Sequence, residues 1–194
     1  MIILAVDPGP EYSAWLTYDT VRKEPVDWNH EENDRVLERV ENPTHEALVL
    51  ERVAAMGMAV GAEVFETVYW TGRFVQAWEF RRQLGIANIP PADRVKRHTV
   101  KMHLCNSMRA KDSNIRQALI DMYGGQDRAI GVKKTKKKAG SPGPLAEITG
   151  HHWQALALAI TYAHQLRTAS PPIKTAGGTP CTSPPNDSTA SPAS

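Results

Sequence analysis

Two carboxylates and one imidazole occupy positions in this chain from which chemistry can be done. Asp7 ends the apolar run Ile2-Ile3-Leu4-Ala5-Val6, Glu51 ends Ala47-Leu48-Val49-Leu50, and His151 opens an alanine- and leucine-rich stretch after Gly150. Four or five apolar residues in a row read as a strand buried on both faces, and Pro8-Gly9 stops the first of them. A carboxylate left unpaired at the tip of a central strand costs several kcal/mol. A divalent cation resting on it removes that cost, as does a turn that the Asp caps with its own side chain. If the two strands are parallel neighbours, Asp7 and Glu51 emerge at one edge of the sheet. A helix packed across that edge brings His151 to them, with Gln154 one turn away on the same face. Such a donor set suits Mg²⁺ or Mn²⁺, the first preferring oxygen and the second accepting imidazole more readily. A site of this kind can hold two ions about 3.5–4 Å apart and hydrolyse a phosphodiester.

These residues need elements to hold them. Ala14 to Tyr18 reads as a second strand and the stretch around Val26 to Trp28 as a third, with the polar turn Asp19 to Glu24 making an antiparallel hairpin. Val36, Leu37 and Val40 have helical spacing between a capping Asn33 and Pro43. Met56 to Gly61 reads as a mobile loop. A long helix follows over about Ala62 to Leu84, where Trp70, Phe74 and Trp78 recur every fourth residue as a core or dimer stripe. Arg94 to Arg97 fits a short strand and Thr99 to Leu104 a short helix. Another helix runs from Asp112, its expected N-cap, to about Tyr123, stopped by Gly124-Gly125. The last covers about Thr149 to Leu166 and is apolar nearly all round, so it should be buried. Residues 1–168 therefore form one domain, and the Ser-, Thr- and Pro-rich residues 169–194 read as a disordered tail.

Bulk properties narrow the function classes. With 194 residues the chain can bury one good core. No apolar run approaches the ~20 residues of a membrane helix. No secretion signal is visible, and two cysteines do not make a disulfide framework, so a reducing cytoplasm is the expected setting. The formal net charge of +2 hides an asymmetry: Arg94 to Lys138 carries 13 basic and 3 acidic residues, a local +10, against −8 elsewhere. So basic a segment implies a polyanionic partner, with a merely solvated lysine loop as the alternative.

The ordered set of features resembles the RuvC-type Holliday-junction resolvases, most of all the short forms carried by phages and prophages. It comprises Asp7-Pro8-Gly9 after the first strand, Glu51 after a later one, Phe65-Glu66-Thr67 to Trp78, Met102 to Ile120, the Lys111-Asp112 pair in a basic region, and a final helix in which His151 is followed after three residues by Ala155-Leu156-Ala157. The resemblance spans about residues 1 to 166. It implies a ribonuclease-H-like α/β fold, a mixed five-stranded sheet with its first three strands antiparallel, flanked by helices. It further implies a homodimeric endonuclease that nicks four-way or other branched DNA with Mg²⁺ or Mn²⁺, leaving 5′-phosphate and 3′-hydroxyl ends. Asp7, Glu51 and His151 match three of that family's metal-binding positions. Gln154 stands where the family has an acid, so the fourth ligand is an uncharged amide, or His152 in its place. Arg97, Lys101, Arg109 and Lys111 fall where family members contact the phosphate backbone, and Lys133, Lys134, Lys136 and Lys137 extend that basic surface. A junction-binding protein with weakened or lost catalysis, or a nuclease for other branched DNA, is the alternative.

Overall fold

The computed structural model describes residues 1–42, 44–54, 60–85, 88–132 and 140–169. Strands β1 (Ile2–Asp7), β2 (Tyr12–Asp19) and β3 (Glu24–Glu32) form an antiparallel meander. After helix α1 (Asn33–Glu41), β4 (Ala47–Arg52) returns beside β1 in parallel, and β5 (Asp93–Lys96) adds in parallel to β4 beyond helix α2 (Ala62–Gln83). The sheet order is thus β3-β2-β1-β4-β5, mixed and five-stranded with its first three strands antiparallel, as the sequence predicts. Helices α3 (Arg97–Cys105), α4 (Asp112–Met122), the short α5 (Gln126–Ala129) and α6 (His152–Ala169) follow, with a two-residue pairing of β6 (Gly131–Val132) and β7 (Ser141–Pro142) between the last two helices.

The pleat of β1 divides the core. Ile3 and Ala5 face one side, where Leu156 to Ile160 of α6 pack with Ile115, Leu119 and Ile120 of α4. Leu4 and Val6 face the other, against Val36 and Val40 of α1 and Phe74 and Trp78 of α2. Residues 3 to 6 and 47 to 50 are completely buried, which is why both strands are apolar without alternation. The aromatic stripe of α2 is a core feature at Phe74 and Trp78, where the Trp78 indole N–H donates to the Pro90 carbonyl at 2.8 Å.

Several local expectations need correction. Strand β3 is nine residues long, because hairpin register with β2 extends it well past the short apolar stretch. Asn33 does not cap α1. It is the first helical residue, and its buried side chain turns inward to the β1–β2 turn. Asp112 does not cap α4 either: Lys111 is the N-cap, and its backbone N–H donates to the Asn114 side chain. Helix α5 and the β6–β7 pair were not expected, being too short to leave a periodic signal. The loop reading of 56 to 61 falls largely outside the described residues, as do Lys133, Lys134, Lys136 and Lys137 and the tail from 170 onward. Among the described residues no helix is long and apolar enough to cross a membrane.

Candidate active site

The sheet places the two carboxylates side by side. Val6 is in register with Leu50 across the parallel β1–β4 ladder, so Asp7 and Glu51 are the next residues on neighbouring strands, about 4.8 Å apart in strand spacing. Side chains alternate along a strand. Asp7 therefore shares a face with Ile3 and Ala5, and Glu51 with Ala47 and Val49, all on the α6 side. Both acids project from the strand ends toward the start of that helix.

Helix α6 begins at His152, one residue later than His151 would need to be its first residue. His151 occupies the N-cap position, and its carbonyl accepts from the backbone N–H groups of Gln154 (3.0 Å) and Ala155 (3.2 Å). From there His151 Nδ1 reaches Asp7 Oδ2 at 3.4 Å. Gln154 lines the same cavity, and its Oε1 is buried with no hydrogen-bond partner. Such an orphaned oxygen is costly unless something donates or coordinates to it. His152 turns the other way, toward Asn29 and His30 of β3, and burial pulls its basicity down. It takes no part in the acidic site.

Electrostatics mark Asp7 as the strained group. Burial first, and the Glu51 carboxylate second, push its pKa up from 3.8 to about 6, against the pull of His151 and Arg97. Glu51 is compensated differently. The Arg97 guanidinium bridges Glu51 Oε2 at 3.0 Å and Asp112 Oδ1 at 2.6 Å, tying the N-termini of α3 and α4 to the end of β4. Arg97, expected on the phosphate backbone, is thus engaged with carboxylates, and Asp112 is its partner.

The donor set fits a hard divalent cation: two adjacent carboxylates, one of them poorly neutralised, and an unpaired amide oxygen at the helix start. It does not enclose one as arranged. Among the described residues no three His, Cys, Asp or Glu side chains converge on a common point, because His151 rests on Asp7 while Arg97 holds Glu51. Asp7, His151 and Gln154 share one cavity of about 900 Å³. Glu51 lines an adjoining one of about 600 Å³, and Asp7, Pro8, Thr67 and Arg97 border both.

The turn that aims Asp7 is locked by a closed network. The Gly9 N–H donates to Ser13 Oγ (3.1 Å), which donates to Asn33 Oδ1 (2.5 Å), while Asn33 Nδ2 donates to the Gly9 carbonyl (3.1 Å). A Cβ at Gly9 would run into the Tyr12 carbonyl, so only glycine fits.

Of the other basic residues, Lys101 lines the smaller cavity, and Arg109 and Lys111 are exposed on the segment joining α3 to α4. Sequence reasoning missed Arg116, which lies over the Trp153 ring at 5.0 Å and borders the larger cavity, and Lys96 and His98, which border the smaller. It also missed His30, whose ring stacks on His151 at 5.5 Å and 20°. Nothing local marks a strand histidine as part of a site formed over a hundred residues later.

No protein-family model matches this chain, and no curated protein matches its sequence. Among solved structures it is similar to RuvC of Thermus thermophilus, with a TM-score of 0.56 and 18% identity over 87% of this chain and 96% of that one. It is equally similar to T. thermophilus RuvC in complex with a Holliday junction substrate, with a TM-score of 0.56 and 17% identity over 87% and 96% of the two chains. At such identities the likeness establishes the fold, the RuvC-type, ribonuclease-H-like arrangement that the sequence led us to expect.

Proposed function

We propose that this protein is a metal-dependent endonuclease that nicks four-way DNA junctions, leaving 5′-phosphate and 3′-hydroxyl ends. The observation that carries the reading is the pairing of Asp7 and Glu51 at adjacent strand ends beneath His151 and the unpartnered Gln154 oxygen. The shared fold supports it, since the T. thermophilus neighbour is described with a Holliday junction substrate. Asp7, Glu51 and Gln154 would hold Mg²⁺ or Mn²⁺ with His151, and the bound ion would supply charge neutralisation and an activated water. Asp7 must be ionised to take part, so acid weakens the site. Arg97 holds Glu51 in place and lies where it can shift to a phosphate as negative charge accumulates. Lys101, Arg109, Lys111 and Arg116 offer backbone contacts, joined by the lysine run from 133 to 138, so binding should weaken steeply with salt.

Cutting both sides of a junction needs two sites. Helix α2 supports a homodimer: Phe65, Val68 and Tyr69 are 67%, 50% and 59% exposed at i, i+3 and i+4, an apolar stripe that the described residues leave uncovered.

A second reading, a junction-binding protein with lost catalysis, has its own support in the neutral Gln154 and in the arginine held on Glu51. Incubating labelled four-way junction with the protein and Mg²⁺ or Mn²⁺ separates the two. Nicking by the wild type, with binding but no nicking by Asp7→Asn and Glu51→Gln, supports the nuclease. Gln154→Asp should keep or raise the Mg²⁺-dependent rate. Tight binding without nicks in either metal supports the binding protein, and nicking by Asp7→Asn at the wild-type rate refutes the metal reading.

A further inference from the structure

One wall of the larger cavity is a row of three aromatic rings, two of which, Tyr12 and His30, the proposed chemistry does not use. Tyr12 opens β2, and His30 faces it from β3 with ring centroids 5.8 Å apart. His30 in turn stacks on His151 at 5.5 Å, nearly parallel at 20°. All three line the cavity beside Asp7, and all three are exposed. Hairpin register sets His30 opposite Ala14, two residues from Tyr12 along the same face of β2, so the backbone of the sheet holds the row. Exposed rings in a fixed row present π-faces to solvent at the mouth of a site, where nothing in the core requires them.

The charges around the row decide what it can hold. Tyr12 Oη donates to Glu32 Oε1 at 3.4 Å, and Glu11 lines the cavity next to Tyr12. Carboxylates on that side repel a phosphate backbone. The cavity's cations, Arg97 and Arg116, lie with the α3, α4 and α6 elements. A nucleotide with its phosphate toward the arginines therefore puts an uncharged base, not its backbone, toward the rings.

On the reading of this protein as a junction nuclease, we infer that Tyr12 and His30 form a stacking platform for an unpaired nucleobase next to the nicked phosphate. Stacking on aromatic side chains tolerates any base, because every base has a π-face. The platform therefore holds the strand open without choosing its sequence, and His151 at its inner end joins it to the acids.

The test measures affinity for four-way junctions without divalent metal, with an abasic site placed in turn at each nucleotide around the crossover. Wild-type protein should bind more weakly by roughly 5- to 150-fold when one particular base is missing. Tyr12→Ala/His30→Ala should lose a similar factor on the intact junction and be indifferent to that abasic site, while Tyr12→Phe/His30→Phe should behave as the wild type. The phenylalanine variant separates lost stacking from lost folding. Tight wild-type binding that ignores every abasic position overturns the platform, as does an alanine variant that loses the same factor on intact and abasic junctions. Wild-type protein that binds no junction overturns the nuclease reading itself, a different outcome from either.

Discussion

Replacing Asp7 by Asn should abolish nicking and, without metal, make the protein more stable. The carboxyl titrates at about 6 in the folded chain against 3.8 for an ordinary Asp, chiefly through burial and then through Glu51. Its side chain is only 18% exposed, so solvent screens the effect little. The folded state binds this proton more tightly than the unfolded state does. Stability from the protonated group is thus fully present below pH 3.8 and is lost as pH rises through about 6. At about 1.4 kcal/mol per pKa unit, the ionised carboxylate costs about 3 kcal/mol at neutral pH. Asparagine keeps the shape and never ionises. In a chain of this size that difference corresponds to a rise in Tm of roughly 6–12 °C. Urea or thermal unfolding of both proteins in EDTA, from pH ~4 to pH ~8, checks it. The stability gap should be near zero in acid, open between pH ~4 and ~6, and stay level above. Saturating Mn²⁺ or Mg²⁺ should close it, because only the wild type gains binding energy from the ion. A gap that is absent at pH ~8, or constant across the range, refutes the argument that Asp7 is a strained carboxylate awaiting a cation.

His45 should act in the opposite direction. It is 4% exposed, and burial, then Arg81 and Arg39, lower its pKa from 6.5 to about 4. Its neutral form stabilises the fold above pH 6.5, and about 3 kcal/mol should be lost as pH falls through about 4; the pH profile of His45→Leu unfolding should lack that loss. Asn33→Ala leaves Ser13 Oγ without its acceptor and the Gly9 carbonyl without its donor, so it should cost about 1–3 kcal/mol in urea unfolding. The same substitution should slow nicking by loosening the turn that aims Asp7. Trp78→Ala removes a completely buried ring and its bond to Pro90, and should cost about 3–5 kcal/mol in the same assay, leaving the pH dependence from Asp7 unchanged.

Much of this molecule is written in short-range pattern. Unbroken apolar runs marked β1 and β4 because a strand covered on both faces has no polar side to show. The acid closing each run located Asp7 and Glu51, and the apolar helix after Gly150 located His151 and Gln154, since strand and helix periods are local properties of the chain. Only the tertiary structure decided what these groups touch. Arg97 reads in sequence as one more base in a positive segment, yet the parallel β4–β5 pairing sets it on Glu51 and Asp112. Asn33 and Asp112 both look like helix caps, because capping preference is local. Packing turned one inward to the Gly9 turn and gave the other to an arginine 15 residues earlier. His30 carried no signal at all, because its meaning arises when hairpin register brings it against a histidine from the far end of the domain. The raised pKa of Asp7 has the same origin: burial and a neighbouring charge belong to the assembled sheet, and no residue type encodes them.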